Sequence, residues 1–159
     1  MEPNGKDLAE FARLGLRFHI LPLSSVTTWA DGIIAETNFP APWLIDLAMA
    51  DDMESIENAL RHVPGEAQAD LAIRLFLALV CRQWRSGNLS IGYVREIGWS
   101  LHCESALPSL DGQADWGVCL EVECEELDAG WRTEDDLRAS IEQKLAQYSD
   151  LEGKLPAWA

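Results

Sequence analysis

Closely spaced acidic side chains between residues 104 and 136 are the residues of this chain best suited to do chemistry. The stretch holds eleven Asp or Glu residues and one basic residue, Arg132, and so supplies −10 of the total net charge of −15. Carboxylates at this density can hold a divalent cation through their oxygens, or receive Lys and Arg side chains of another protein. Because like charges repel, the crowding also opposes folding, which indicates that it serves a cationic partner or solubility.

The centre of the acidic stretch, residues 116–124, is compatible with two secondary structures. Its apolar residues alternate with glycine, cysteine and glutamate, which is the period of a half-buried strand: Trp116, Val118, Leu120, Val122 and Cys124. A helix would instead place Glu123 near the centre of its apolar face and leave two valines on the opposite side. We favour the strand, in which Glu121, Glu123 and Glu125 line one face with neighbours about 7 Å apart.

Two tryptophans flank these acids and are candidate anchors for a protein partner, because tryptophan is frequent at binding hot spots. The competing interpretation is that both indoles belong to the core, as for the other five tryptophans of the chain. The predicted partner-binding residues are Glu121, Glu123, Glu125, Glu126, Trp116 and Trp131.

The remaining composition excludes several classes of protein. The twelve basic residues are scattered, whereas nucleic acids and anionic membrane surfaces are bound by clusters of Lys and Arg. The apolar run Leu75–Cys81 is too short to span a bilayer, and the N-terminus has no basic flank followed by an apolar run. The four cysteines form no C-x-x-C pair. We therefore expect a cytoplasmic protein of bacterial type that binds neither nucleic acid nor membranes.

No common catalytic motif accompanies the acids. The chain contains no G-x-S-x-G, H-E-x-x-H, G-x-x-x-x-G-K-S/T or G-x-G-x-x-G sequence. His102 adjoins Cys103, but neighbouring residues on a helix point about 100° apart and do not face each other. We expect no cofactor and no metal, and the absence of these motifs favours a non-catalytic protein over an enzyme.

Helical periodicity dominates the elements that must position the acids. The segment from Glu66 to Arg85 is apolar on nearly every side, which is typical of a helix in the middle of a bundle. Thr133 with Asp136 predicts the start of a helix, and Ser86-Gly87-Asn88 predicts the end of one. The sequence thus predicts a mainly α-helical single domain over residues 1–159, a bundle of five to seven helices with one small β element near 116–124.

The leading functional hypothesis is a non-catalytic, acidic protein-binding module for a basic protein partner. In size, acidity and predicted helicity the chain resembles immunity or antitoxin proteins that mask a basic toxin, a likeness of general character that no motif carries. Acidic complementarity would speed association, and a buried aromatic anchor would slow release.

Two other hypotheses remain open. A metal-dependent hydrolase would use clustered carboxylates, and Glu54-x-x-Glu57 with Glu125-x-x-Asp128 resembles the paired acids with which all-helical nucleotide pyrophosphatases bind magnesium. A structural homodimer would form through the predicted helix Ser90–Leu101, where Gly92 and Gly98 would allow another helix to approach closely.

Overall fold

A computed structural model of the chain describes residues 2–104 and 115–159. Over these ranges the chain forms eight α-helices and a 3-10 helix, without a strand, which confirms the mainly α-helical class. Their bounds are α1 (Gly5–Arg17), α2 (Leu23–Ala35), α3 (Pro42–Met49), α4 (Met53–Arg61), α5 (Ala69–Arg85), α6 (Ile91–Cys103), α7 (Trp116–Asp128), α8 (Glu134–Ala146) and the 3-10 helix Ser149–Lys154. The count exceeds seven because residues 116–128 add a helix.

The helices group into two compact units, one of Met1–Ala72 with Lys154–Ala159 and the other of Ile73–Gly153. The prediction that the whole chain forms one domain stays a prediction. Both units are acidic: twelve acidic and five basic residues belong to the first, and fifteen acidic and seven basic residues to the second.

The first unit is built from α1 to α4 around an aromatic cluster. Helix α3 packs against α2 and α4, and α4 packs against α1. The rings of Trp29 and Trp158 stack with centroids 5.2 Å apart, and those of Trp158 and Phe11 lie 5.6 Å apart. Trp43 of α3 packs against Trp29 at 6.2 Å. The contacts of Trp158 tie the C-terminal segment to this unit.

In the second unit, α5 supplies an apolar core and α7 packs against both α6 and α8. Every residue from Leu75 to Cys81 is fully buried, as its apolar sequence predicts. Gly87 adopts a φ of 75°, and the amides of Gly87 and Asn88 donate to the carbonyls of Trp84 and Gln83. This is a Schellman motif, and it ends α5 where the sequence predicts.

The preference for a strand at 116–124 was wrong, because tertiary contacts select the helix. Helix α7 buries Trp116, Gly117, Leu120 and Cys124 on one face, whereas Val122 remains about half exposed at 49%. The described ranges contain no strand with which residues 116–124 could pair. A strand without a partner leaves its backbone groups unpaired, whereas a helix satisfies them internally.

Helix α7 approaches α6 most closely where two glycines meet. A Cβ atom on Gly117 would lie 2.3 Å from the carbonyl oxygen of Gly98, and one on Gly98 would lie 2.7 Å from the Trp116 ring. Both positions therefore require glycine for steric reasons. Both Gly92 and Gly98 were predicted to allow another helix to approach closely. Gly98 does so for α7 of the same chain, whereas Gly92 is exposed and a Cβ atom there would have only the Ser90 hydroxyl within 4.0 Å.

Two substitutions in α6 test this contact. We expect Gly98→Ala to lower the free energy of unfolding by about 1–3 kcal/mol, because the added methyl overpacks a closed interface. We expect Gly92→Ala to be neutral or to stabilise by up to about 1 kcal/mol, because alanine favours an exposed helix position. Urea denaturation measures both values. Equal effects of the two substitutions would contradict the close contact between α6 and α7.

Candidate functional site

The acids of α7 do not form a comb, because the helix sends them in different directions and cations of the same chain pair with them. Glu121 accepts two hydrogen bonds from the guanidinium of Arg95 in α6, with Nε at 2.7 Å from Oε2. These hydrogen bonds lower the pKa of Glu121 from its ordinary value. Glu121 therefore joins α6 to α7 and has little capacity left for a cation from outside.

Glu123 lies at the helix position that made the helical interpretation unattractive, close to the buried face. Its side chain is only 16% exposed, and its Oε1 accepts a hydrogen bond from Lys144 of α8 at 2.7 Å. Arg132 adds a longer ion pair at 3.9 Å. Burial raises the pKa of Glu123, but the hydrogen bonds and charges of these partners outweigh burial, so its pKa falls below the ordinary value. Glu123 thus fastens α8 to α7.

Other acids of the predicted stretch are also engaged within the chain. Glu126 pairs with Arg132 at 3.0 Å, and Glu134 pairs with Arg138 at 2.8 Å. Asp136 completes the predicted capping box with Thr133 at the start of α8, and this bonding lowers its pKa. In the part of the chain that the structure describes, the ion pairs and side-chain hydrogen bonds together leave out three exposed acids of α7 and α8: Glu125, Asp128 and Asp135.

The two predicted tryptophan anchors lie in different environments. Trp116 is 7% exposed and packs against Gly98, so it belongs to the core and is not available as a surface anchor. Trp131 is 84% exposed. It lies in the turn between α7 and α8, beside an open groove of about 620 Å³ whose lining includes Glu123, Glu126, Trp131, Arg132, Asp136, Ser140 and Gln143. We call Trp131 and this groove the Trp131 surface.

The backbone around Trp131 is held on both sides. Gly130 has a φ of 75°, and the amides of Gly130 and Trp131 donate to the carbonyls of Leu127 and Glu126 at 3.0 and 2.8 Å. This Schellman motif ends α7, and the Thr133 capping box begins α8 two residues later. The residue at the Trp131 position of such a motif frequently packs against its own helix. Here the indole remains exposed although its backbone is fixed.

A second exposed surface, which sequence analysis overlooked, lies in the first unit on α3. Leu44 and Leu47 point into the core, with exposures of 4% and 0%, whereas Ile45 is 43% and Met49 80% exposed. Positions 42, 45, 46 and 49 share one side of a helix. We call this side the α3 face and define it as Pro42, Ile45, Asp46 and Met49; Phe39, 91% exposed, precedes it in the chain. The feature of the sequence that could have drawn attention to this region is the absence of Lys and Arg from residue 18 to residue 60.

The described residues give the metal-dependent hydrolase no support. Across 2–104 and 115–159, no group of three or more His, Cys, Asp or Glu side chains is arranged to hold a metal ion. The two acid pairs that resemble a magnesium site belong to different units. Glu57 of the first pair forms an ion pair with Arg61 at 3.4 Å.

His102 and Cys81 have structural surroundings. His102 of α6 and Asp115 approach each other at 2.7 Å, and Asp115 also caps α7 by accepting from the Gly117 amide at 2.9 Å. None of the four cysteines forms a disulfide. Burial raises the pKa of Cys81 to about 11, which keeps this thiol protonated and unreactive near neutral pH.

No protein-family model, no curated protein and no solved structure matches this chain. Of the helices in the described ranges, none is sufficiently long and apolar to cross a membrane.

The Glu123–Lys144 pair predicts a specific pH dependence. The folded-state pKa of Glu123 lies below its ordinary value of 4.5. Its stabilising contribution is therefore fully present above pH 4.5 and is lost as the pH falls towards the lowered folded-state pKa. At neutral pH we expect Glu123→Gln to lower the free energy of unfolding by about 1–3 kcal/mol, because charged hydrogen bonds are lost at a nearly buried site.

The matched control is Glu125→Gln, which removes the same charge from an exposed position two residues away. We expect it to leave stability unchanged or slightly raised, because it relieves repulsion between acids. Urea denaturation at a series of pH values measures both variants. A gap between Glu123→Gln and the unsubstituted protein that stayed constant into strong acid would contradict the pairing.

Proposed function

We propose that this chain is a non-catalytic protein-binding module that binds a basic protein partner through the Trp131 surface. The observation that carries the proposal is the exposure of Trp131 in a turn whose backbone is fixed at both ends. Tryptophan is among the residues that contribute most to protein interfaces. An anchor already held in place loses little conformational entropy on binding, which favours affinity.

Charge supports a basic partner. The second unit carries fifteen acidic and seven basic residues. Glu125 and Asp128 at the end of α7, and Asp135 at the start of α8, are exposed and outside the ion pairs of the described chain. These acids flank Trp131 in the sequence. They would attract a cationic surface and speed its association, while the indole and the groove would slow its release.

Three of the six residues predicted from the sequence belong to the proposed contact. Trp131, Glu125 and Glu126 remain in it, because they are exposed or line the groove. Glu121 and Glu123 connect helices of the unit, and Trp116 is buried, so we assign these three to the fold. Glu123 also lines the groove, but its carboxylate is engaged by Lys144. A role like that of immunity or antitoxin proteins, in a bacterial cytoplasm, is the form of partner binding that we propose.

Photo-crosslinking tests the proposed contact directly. With p-benzoylphenylalanine at position 131, illumination in extract of the source cells should capture a basic protein. The same residue at position 99 is the matched control, because Trp99 is also exposed, at 45%, and belongs to the same unit. Capture of the same protein with equal yield from both positions would contradict a contact centred on Trp131.

Titration calorimetry with the purified captured protein then gives the expected magnitudes. We expect Trp131→Ala to weaken binding about 30-fold or more, corresponding to about 2 kcal/mol, and Trp99→Ala to change it little. Raising salt from about 50 to about 300 mM should weaken binding further, because it screens exposed charges. Affinity indifferent both to Trp131→Ala and to salt would overturn the proposal.

A further inference from the structure

The α3 face is an apolar helix side for which the described chain provides no cover. Ile45 and Met49 lie one helical turn apart and are 43% and 80% exposed, while Leu44 and Leu47 hold the opposite side in the core. The helix is supported from behind by α2 and α4 and by the contact of Trp43 with Trp29. A firmly supported helix with exposed Ile and Met side chains is typical of a surface that receives another apolar face.

The segment that contains the α3 face carries charges of one sign. From residue 18 to residue 60 there are seven acids and no Lys or Arg. Asp52 caps α4 by accepting from the Ser55 amide, and Glu57 pairs with Arg61. The carboxylates of the remaining five are absent from every ion pair and side-chain hydrogen bond found among the described residues: Asp31, Glu36, Asp46, Asp51 and Glu54. The α3 face thus carries the exposed side chain of Asp46 beside Ile45 and Met49, and it belongs to a segment whose charged side chains are acidic.

This combination decides between two possible occupants. A second copy of the chain would bring these acids against an identical set without any cation from the same segment, and like charges across an interface oppose association. A cationic partner would gain from the same charges. The apolar centre extends over two turns of helix, from Pro42 to Met49, or about 10 Å at 1.5 Å per residue. An apolar helix stripe of equal length can cover it.

We infer that the α3 face docks an amphipathic helix of a partner protein, with its apolar stripe over Ile45 and Met49 and its Lys or Arg residues facing the surrounding acids. Such contacts are made by apolar anchors at spacings of three, four and seven residues. The α3 face lies in the other unit from Trp131. The inference therefore does not depend on the function proposed for the Trp131 surface.

The probe for this surface is a synthetic helical peptide of leucine and lysine, about 18 residues long, with all its leucines on one side. Two control peptides complete the set. In the first, serine replaces every leucine and the charge stays the same. In the second, glutamate replaces every lysine and the apolar stripe stays the same. Amide NMR spectra of the ¹⁵N-labelled protein, recorded during titration, show where each peptide binds, and calorimetry gives the affinity.

We expect saturable binding of the leucine–lysine peptide, with the largest amide shifts at residues 39–49. The double variant Ile45→Ser/Met49→Ser should weaken binding about tenfold or more, and Asp46→Lys should weaken it less. Because these side chains are exposed, the variants should keep the circular dichroism and unfolding midpoint of the unsubstituted protein. Trp131→Ala should leave this binding unchanged, which separates the result from a test of the proposed function.

Several results would overturn the inference. They are no saturable binding of the leucine–lysine peptide, amide shifts centred outside residues 39–49, equal binding of the serine control peptide, and an affinity that the double variant leaves unchanged. Sedimentation at several protein concentrations tests the other possible occupant, a second copy of the chain. If the protein dimerises and Ile45→Ser/Met49→Ser abolishes the dimer, a second copy covers the α3 face and the inference is wrong.

Discussion

A shortage of cations is the constraint on which the rest of this structure depends. Twelve Lys and Arg residues must serve twenty-seven Asp and Glu residues, so the positions of the cations decide which surfaces remain negative. In the second unit, they connect helices. Arg85 joins α5 to α8 through Glu142, Arg95 joins α6 to α7, and Lys144 joins α8 to α7. Acids that are neighbours in the sequence thereby acquire separate partners and lose much of their mutual repulsion.

The same distribution leaves other acids without partners. The cations of the first unit lie before residue 18 or after residue 60, and their ion pairs with Glu10 and Glu57 belong to α1 and α4. No basic side chain comes from α2 or α3. The density of acids along the sequence is therefore a poor guide to where negative charge faces solvent. Many acids of the densest segment are paired within the chain, whereas most acids of the less dense segment from residue 18 to residue 60 are left out of the described ion pairs.

In both the Trp131 surface and the α3 face, exposed apolar side chains lie on backbone that the surrounding structure holds in place. Two backbone motifs hold the Trp131 turn, and the cluster of Trp29, Trp43 and Trp158 holds α3 from behind. Exposed apolar side chains on rigid elements bind at a lower entropic cost than those on mobile segments. The same rigidity also limits their collapse onto the protein's own surface, so their exposure is maintained.

Local features of the sequence were sufficient to predict α5 and the start of α8. The apolar character of Leu75–Cys81, the capping box at Thr133 and the glycine after α5 each act within a few residues, so their effect can be predicted without knowing the fold. Of the residues predicted to contact a partner, Trp131 is exposed and Glu126 lines the groove beside it, and their role in binding stays a prediction.

Only tertiary structure decided what residues 116–128 are and which acids and tryptophans face solvent. The helix there depends on the meeting of Gly98 with Gly117 and on Lys144, which lies 21 residues beyond the Glu123 that it neutralises. Neither contact can be predicted from the periodicity of the segment itself. Likewise, Trp116 and Trp131 have the same side chain and similar acidic neighbours, yet one packs against α6 and the other does not. Burial is a property of what a residue packs against, and for these residues the decisive partners are remote in the sequence.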